Sequence, residues 1–113
     1  MPYIKTTTNV KIDGAKRDAL TSAYGRAIEL IPGKSEHWLM LKFEGEAEMA
    51  YRGSSEPCAM VEVDLYGAAD GAALDRLTKE VTGILESELG LDPDRVYLRY
   101  LSVGEWGWNG ENL

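Results

Sequence analysis

The sequence predicts an α+β fold in which one β-α-β unit occurs twice, forming a four-stranded mixed sheet with two helices on one face. Two observations carry this. Asp13-Gly-Ala15 and Asp70-Gly-Ala72 open two amphipathic stretches that end at Gly33 and Gly90, and each landmark lies 57 residues from its counterpart. The same offset lays the apolar run Trp38–Phe43 over Arg95–Tyr100 and the N-terminal strand over Ala59–Tyr66. Parallel strands need a crossover helix, so two such units supply four strands and two helices. The chain of 113 residues is one domain with pseudo-repeats 1–56 and 57–113.

Each helix reads from its own residues. In the first, Ala19, Leu20, Ala23, Tyr24, Ala27, Ile28 and Ile31 recur at helical spacing, Asp13 caps the start and Pro32-Gly33 stops the pattern. In the second, Leu74, Leu77, Val81, Ile84, Leu85 and Leu89 follow Asp70 and end at Gly90. On the strands, Val61, Val63 and Leu65 alternate with Met60, Glu62, Asp64 and Tyr66. Val96, Leu98 and Tyr100 alternate in the same way with Tyr97, Arg99 and Leu101. Neither face is wholly polar, as expected of sheets that face one another in an oligomer. The segment Glu44–Glu56 reads as a solvated loop holding a short edge strand at Met49-Ala50-Tyr51. The tail Glu105–Asn109 has two tryptophans that call for something to pack against.

Composition narrows the function classes. A net charge of −7 without a Lys/Arg run argues against nucleic acid and anionic lipid as partners. Cys58 is the only cysteine and His37 the only histidine, so an intrachain disulfide is excluded and a metal site has little support. Cys58 reads as a small buried hydrophobe and His37 as a structural or surface residue opening a strand. No apolar run reaches the ~20 residues of a membrane span. A cytoplasmic location is the default expectation, with leaderless export open.

Pro2 raises the chemical question. Proline cannot donate to a sheet ladder and suits only a strand's start or edge. With Met1 removed it carries a free secondary amine. A terminal amine titrates nearer neutrality than lysine, and burial among apolar groups lowers its pKa further. Such a base is suited to moving a proton between an enol oxygen and the carbon beside a carbonyl.

The start Met1-Pro2, the stretches Gly53-Ser-Ser-Glu-Pro-Cys-Ala59 and Asp92-Pro-Asp-Arg-Val-Tyr97, and the ending Gly107-Trp-Asn109 closely resemble the macrophage migration inhibitory factor family of the tautomerase superfamily. The resemblance spans the whole chain. It implies a homotrimer with inward-facing sheets, active sites between neighbouring subunits, Pro2 as catalytic base and acid, and no cofactor. It also implies Lys34 as the holder of a substrate carboxylate, Tyr97 (from the neighbouring subunit) and Trp108 as pocket aromatics, and Tyr66 as a backbone contact to substrate. Tyr3 joins the aromatic ring of the pocket. Arg99 departs from the asparagine of the best-known members, and either grips a carboxylate or pairs with Glu62 or Asp64. Val61 stands where some members have a second cysteine, which leaves thiol-disulfide chemistry unsupported.

The resemblance favours a cofactor-independent keto-enol tautomerase of small aryl α-keto acids, phenylpyruvate-like, or of dopachrome-like substrates. Two alternatives stand beside it. One is hydratase or decarboxylase chemistry on a small carboxylic acid. The other is a cytokine-like, receptor-binding role with vestigial catalysis.

Overall fold

The N-terminal strand β1 (Pro2–Thr8) runs up the middle of the sheet, flanked by β2 (Met40–Glu44) in parallel and β3 (Ala59–Tyr66) antiparallel. The strand β4 (Val96–Val103) lies parallel to β3 on the far side, in the order β2-β1-β3-β4. The structure, a computed structural model, describes residues 1–113. Two helices, α1 (Gly14–Ala27) and α2 (Gly71–Leu89), cover one face, and no helix is long and apolar enough to cross a membrane. A terminal hairpin, β5 (Gly107–Trp108) with β6 (Glu111–Asn112), closes the chain.

The expected duplication is present down to single hydrogen bonds. Asp13 Oδ1 accepts from the Lys16 amide at 2.8 Å, and Asp70 Oδ1 accepts from the Ala73 amide at the same distance. Each cap satisfies one of the amide donors that a helix start leaves without an intrahelical partner. Gly33 and Gly90 both take positive φ, +81° and +68°, a conformation costly to any residue with a Cβ. Register obeys the same relation: Tyr3 pairs with Met40 as Met60 pairs with Tyr97, and Thr6 with Phe43 as Val63 with Tyr100. The central pair Lys5–Glu62 maps onto itself, so it marks the pseudo-twofold of the sheet.

Packing follows the period of two. Ile4, Val61, Val63 and Leu65 point at the helices and join Leu20, Tyr24, Ile28, Leu77, Val81 and Leu85 in one core. Removing the side chain of a wholly buried member such as Leu77 costs about 2–5 kcal/mol. Two polar side chains share that buried layer and both are satisfied. Thr6 Oγ1 is 2.8 Å from the Tyr24 hydroxyl, and Thr8 donates to the Cys58 carbonyl at 2.7 Å. Cys58 is buried, as expected.

Several boundaries differ from the sequence reading. α1 ends at Ala27 and continues as a 3-10 turn, Ile28–Leu30, before Gly33. The runs expected to begin strands at Trp38 and Arg95 instead finish 3-10 turns, Glu36–Trp38 and Pro93–Arg95, so β2 starts at Met40 and β4 at Val96. His37 therefore sits in a turn rather than opening a strand. Met49-Ala50-Tyr51 forms no strand. Its only ladder contact is a single bridge from Tyr51 to Ser54, because Arg52 and Gly53 turn the chain straight back with positive φ. That small hairpin is the counterpart of β5–β6, where Trp108 pairs with Glu111 across Asn109 and Gly110, also at positive φ.

Candidate active site

Where β1 begins, a wide cavity stands open between the Trp38 turn of the first repeat and the Trp108 hairpin of the second. It measures about 780 Å³ and is lined by Met1, Pro2 and Tyr3 from β1, His37 to Met40 from the turn before β2, Asp64 from β3, and Trp106, Gly107 and Trp108 from the tail. The size and apolar aromatic walls suit a small organic molecule. Trp38 and Trp108 meet edge to face with centroids 4.9 Å apart, and His37 meets Trp38 edge to face at 4.6 Å. The tail tryptophans thus have the packing partner that the sequence called for, and Trp106 leans on Tyr66.

The pseudo-symmetric site shows what closes such a pocket. Arg95, equivalent to Trp38, donates from Nε to the Pro57 carbonyl, from Nη1 to that of Tyr51, and from Nη2 to those of Ser54 and Glu56, at 2.9–3.2 Å. Its guanidinium also lies 5.1 Å from the centre of the Tyr51 ring. The corresponding cavity, bounded by Met49, Tyr51, Ala59 and Tyr97, holds only about 190 Å³. With an arginine clamp the hairpin is drawn in. With tryptophan edges the pocket stays open.

The chain start is electrostatically distinctive. Partial burial and the neighbouring Lys34 ammonium, in that order, hold the Met1 amine below its usual range. Lys34 is itself fixed: its Nζ donates to the Tyr66 carbonyl at 3.0 Å, and its stem follows the turn at Gly33. Pro2 opens β1 with its ring buried, and the Met1 carbonyl accepts from the Tyr66 amide at 3.0 Å. The Tyr66 amide is thus occupied while Met1 is retained, and loses this acceptor when Met1 is removed.

Of the residues singled out from sequence, Pro2, Tyr3 and Trp108 line this one cavity, and Lys34 and Tyr66 meet beside its floor. Tyr97 and Arg99 do not reach it from the same chain. They project from edge strand β4 on the open face, where Tyr97 packs edge to face on Tyr51 with centroids 5.0 Å apart and Arg99 pairs with Glu62. His37, Trp38, Leu39, Met40, Asp64 and Trp106 also line the cavity, although none was selected from sequence as a pocket residue. The tail's need for packing was the one signal for Trp106. No three His, Cys, Asp or Glu side chains gather as a metal site.

A duplicated β-α-β sheet with a proline at position 2 at the base of an aromatic cavity defines a class of small α+β proteins, and comparison gives that class its name. The family model for macrophage migration inhibitory factor (MIF) matches residues 1–113, and the chain belongs to that family. It is 29% identical over 115 residues to macrophage migration inhibitory factor of Meriones unguiculatus, covering 100% of this chain and 99% of that one. It is 26% identical to D-dopachrome decarboxylase of Gallus gallus over 94% of this chain and 90% of the other. Among solved structures, MIF2 of Leishmania major superposes with a TM-score of 0.94 at 31% identity, covering 100% and 97% of the two chains. The homologue from Prochlorococcus marinus gives 0.88 at 30%, covering 97% of each.

Proposed function

We propose that this protein is a cofactor-independent keto-enol tautomerase of small aryl α-keto acids. After Met1 removal, Pro2 carries the reacting amine. The neutral amine takes the proton from the substrate's enol oxygen or α-carbon and returns it to the other position, so no net proton is consumed. Lys34 holds the carboxylate, while Tyr3, Trp38 and Trp108 sandwich the aryl group. The observation that carries this reading is the placement of Pro2 at the base of an aromatic cavity, one residue from the Met1 amine whose pKa burial and Lys34 already lower. A dopachrome-like substrate fits the same walls, and the D-dopachrome decarboxylase relative supports it.

The proposed assembly is a homotrimer in which a neighbouring copy brings Tyr97 and Arg99 to the mouth of the cavity. In its favour, the open sheet face exposes Met40, Tyr97 and Leu101, a set of large apolar side chains that water disfavours. The test is ketonisation of enol-phenylpyruvate by Pro2→Gly, compared with wild type at matched oligomeric state. Turnover should fall by about 10²-fold or more, and unchanged turnover removes Pro2 from the mechanism.

A further inference from the structure

One carboxylate lies in the aromatic cavity, and the mechanism above does not use it. Asp64 is partly buried on the open face of β3, flanked in register by Tyr3 of β1 and Leu101 of β4, neither of them a cation. Two residues earlier on that face, Glu62 is taken up by Arg99, so an Arg99 brought to the cavity mouth by a neighbouring copy arrives paired with its own Glu62, whereas Asp64 takes part in none of the chain's five ion pairs. The cavity's other titratable ring, His37, is turned edge-on against Trp38.

Asp64 shares the cavity wall with Tyr3 and all three tryptophans of the sequence, Trp38, Trp106 and Trp108. Aromatic faces attract a cation through their quadrupoles, and an unpaired carboxylate among them adds a direct charge partner. The chain's charge of −7 enriches cations at the mouth and repels anions.

We propose that Asp64 is a specificity determinant. It selects carboxylic acids that carry an ammonium group on the end remote from the carboxylate, seated among Tyr3, Trp38, Trp106 and Trp108. The proposal rests on the reading above only in that Lys34 receives the carboxylate. The ligand class is therefore zwitterionic: an aryl acid with a basic substituent, rather than a diacid.

Because every tryptophan lines the cavity, intrinsic fluorescence reports its occupancy without catalysis. The mature protein is titrated with three unreactive probes of one shape: phenylacetate, 4-(aminomethyl)phenylacetate and 4-carboxyphenylacetate. The expected order of affinity is aminomethyl, then unsubstituted, then carboxy. In Asp64→Asn the preference for the aminomethyl probe over phenylacetate should shrink by about fivefold, while Asp64→Glu retains part of it. In unmodified protein the preference should also shrink between about 20 mM and about 0.5 M salt, which needs no variant to fold. An unchanged probe ratio in Asp64→Asn, no preference in the unmodified protein, or binding of none of the probes overturns the proposal. Probe order without enol turnover removes the tautomerase and leaves this selectivity; turnover without probe order does the reverse.

Discussion

Trp38 and Trp108 stand edge to face 4.9 Å apart in the cavity, at the positions whose repeat counterparts are Arg95 and Tyr51. In the proposed reaction the tryptophan pair serves as a wall for a planar ligand rather than as a closed clamp. Such aromatic pairs contribute about 0.5–1.5 kcal/mol beyond the area they bury. Trp38→Ala should raise KM for an aryl α-keto acid by about tenfold and change kcat much less. Steady-state kinetics separate the two parameters, and an effect confined to kcat would contradict this role.

Lys34 is second only to burial in lowering the pKa of the Met1 amine, and the Pro2 amine that Met1 removal exposes one residue further on is expected to feel the same charge. The base form of that amine exists above its pKa, so kcat/KM should rise with pH through that value. Lys34→Gln removes the positive neighbour, so the amine becomes easier to protonate and the rising limb should move to higher pH. The same variant should raise KM for a carboxylate substrate. A pH profile with an unmoved limb would separate Lys34 from the amine.

Arg95 holds the hairpin around Arg52-Gly53 through four carbonyl oxygens. A lysine there keeps the charge but loses the planar fork. Arg95→Lys should destabilise the protein by about 2 kcal/mol in denaturant unfolding. The Pro2 cavity lies across the pseudo-twofold from this hairpin, so its probe affinities should stay within about twofold.

Tyr24 is wholly buried against Thr6, and burial pushes its phenol up to about 12, with the Thr6 hydrogen bond pulling the other way. A raised folded-state pKa means stability present below the unfolded value of about 10 and lost as pH rises through about 12. Tyr24→Phe strands the Thr6 hydroxyl and should cost about 1–2 kcal/mol at neutral pH. Relative to wild type, the variant should lose less stability between those two pH values, as chemical unfolding at several pH values would show.

The features legible in sequence are those written in local chemistry. Asp13 and Asp70 cap helices within three residues of themselves, and the apolar spacing behind them needs no distant partner, so both helices and their repeat could be read directly. Strand starts were less legible. Trp38 and Arg95 look like strand residues by type, yet each ends a 3-10 turn whose hydrogen bonds their side chains do not reveal. At Met49-Ala50-Tyr51, the positive φ of Arg52, a residue with a Cβ, reverses the chain before a ladder can form. In the site, the family resemblance marked Pro2, Lys34 and Trp108. Asp64, His37 and Trp106 converge only through tertiary packing, and no spacing rule joins β3, a turn and the C-terminal tail. The period of two put Tyr97 and Arg99 on one face together. It could not reveal that, in the chain's own fold, they lie two strands from β1.

All of this chemistry depends on a free amine at Pro2, and a retained Met1 turns that nitrogen into a non-basic amide. The most direct measurement is the ketonisation rate of enol-phenylpyruvate by two preparations of the same chain, one with Met1 removed and one with it retained, each verified by intact mass. The expected result is a loss of about 10²-fold or more in kcat/KM for the form that keeps Met1, with unchanged unfolding midpoints. Equal rates would show that some other group moves the proton.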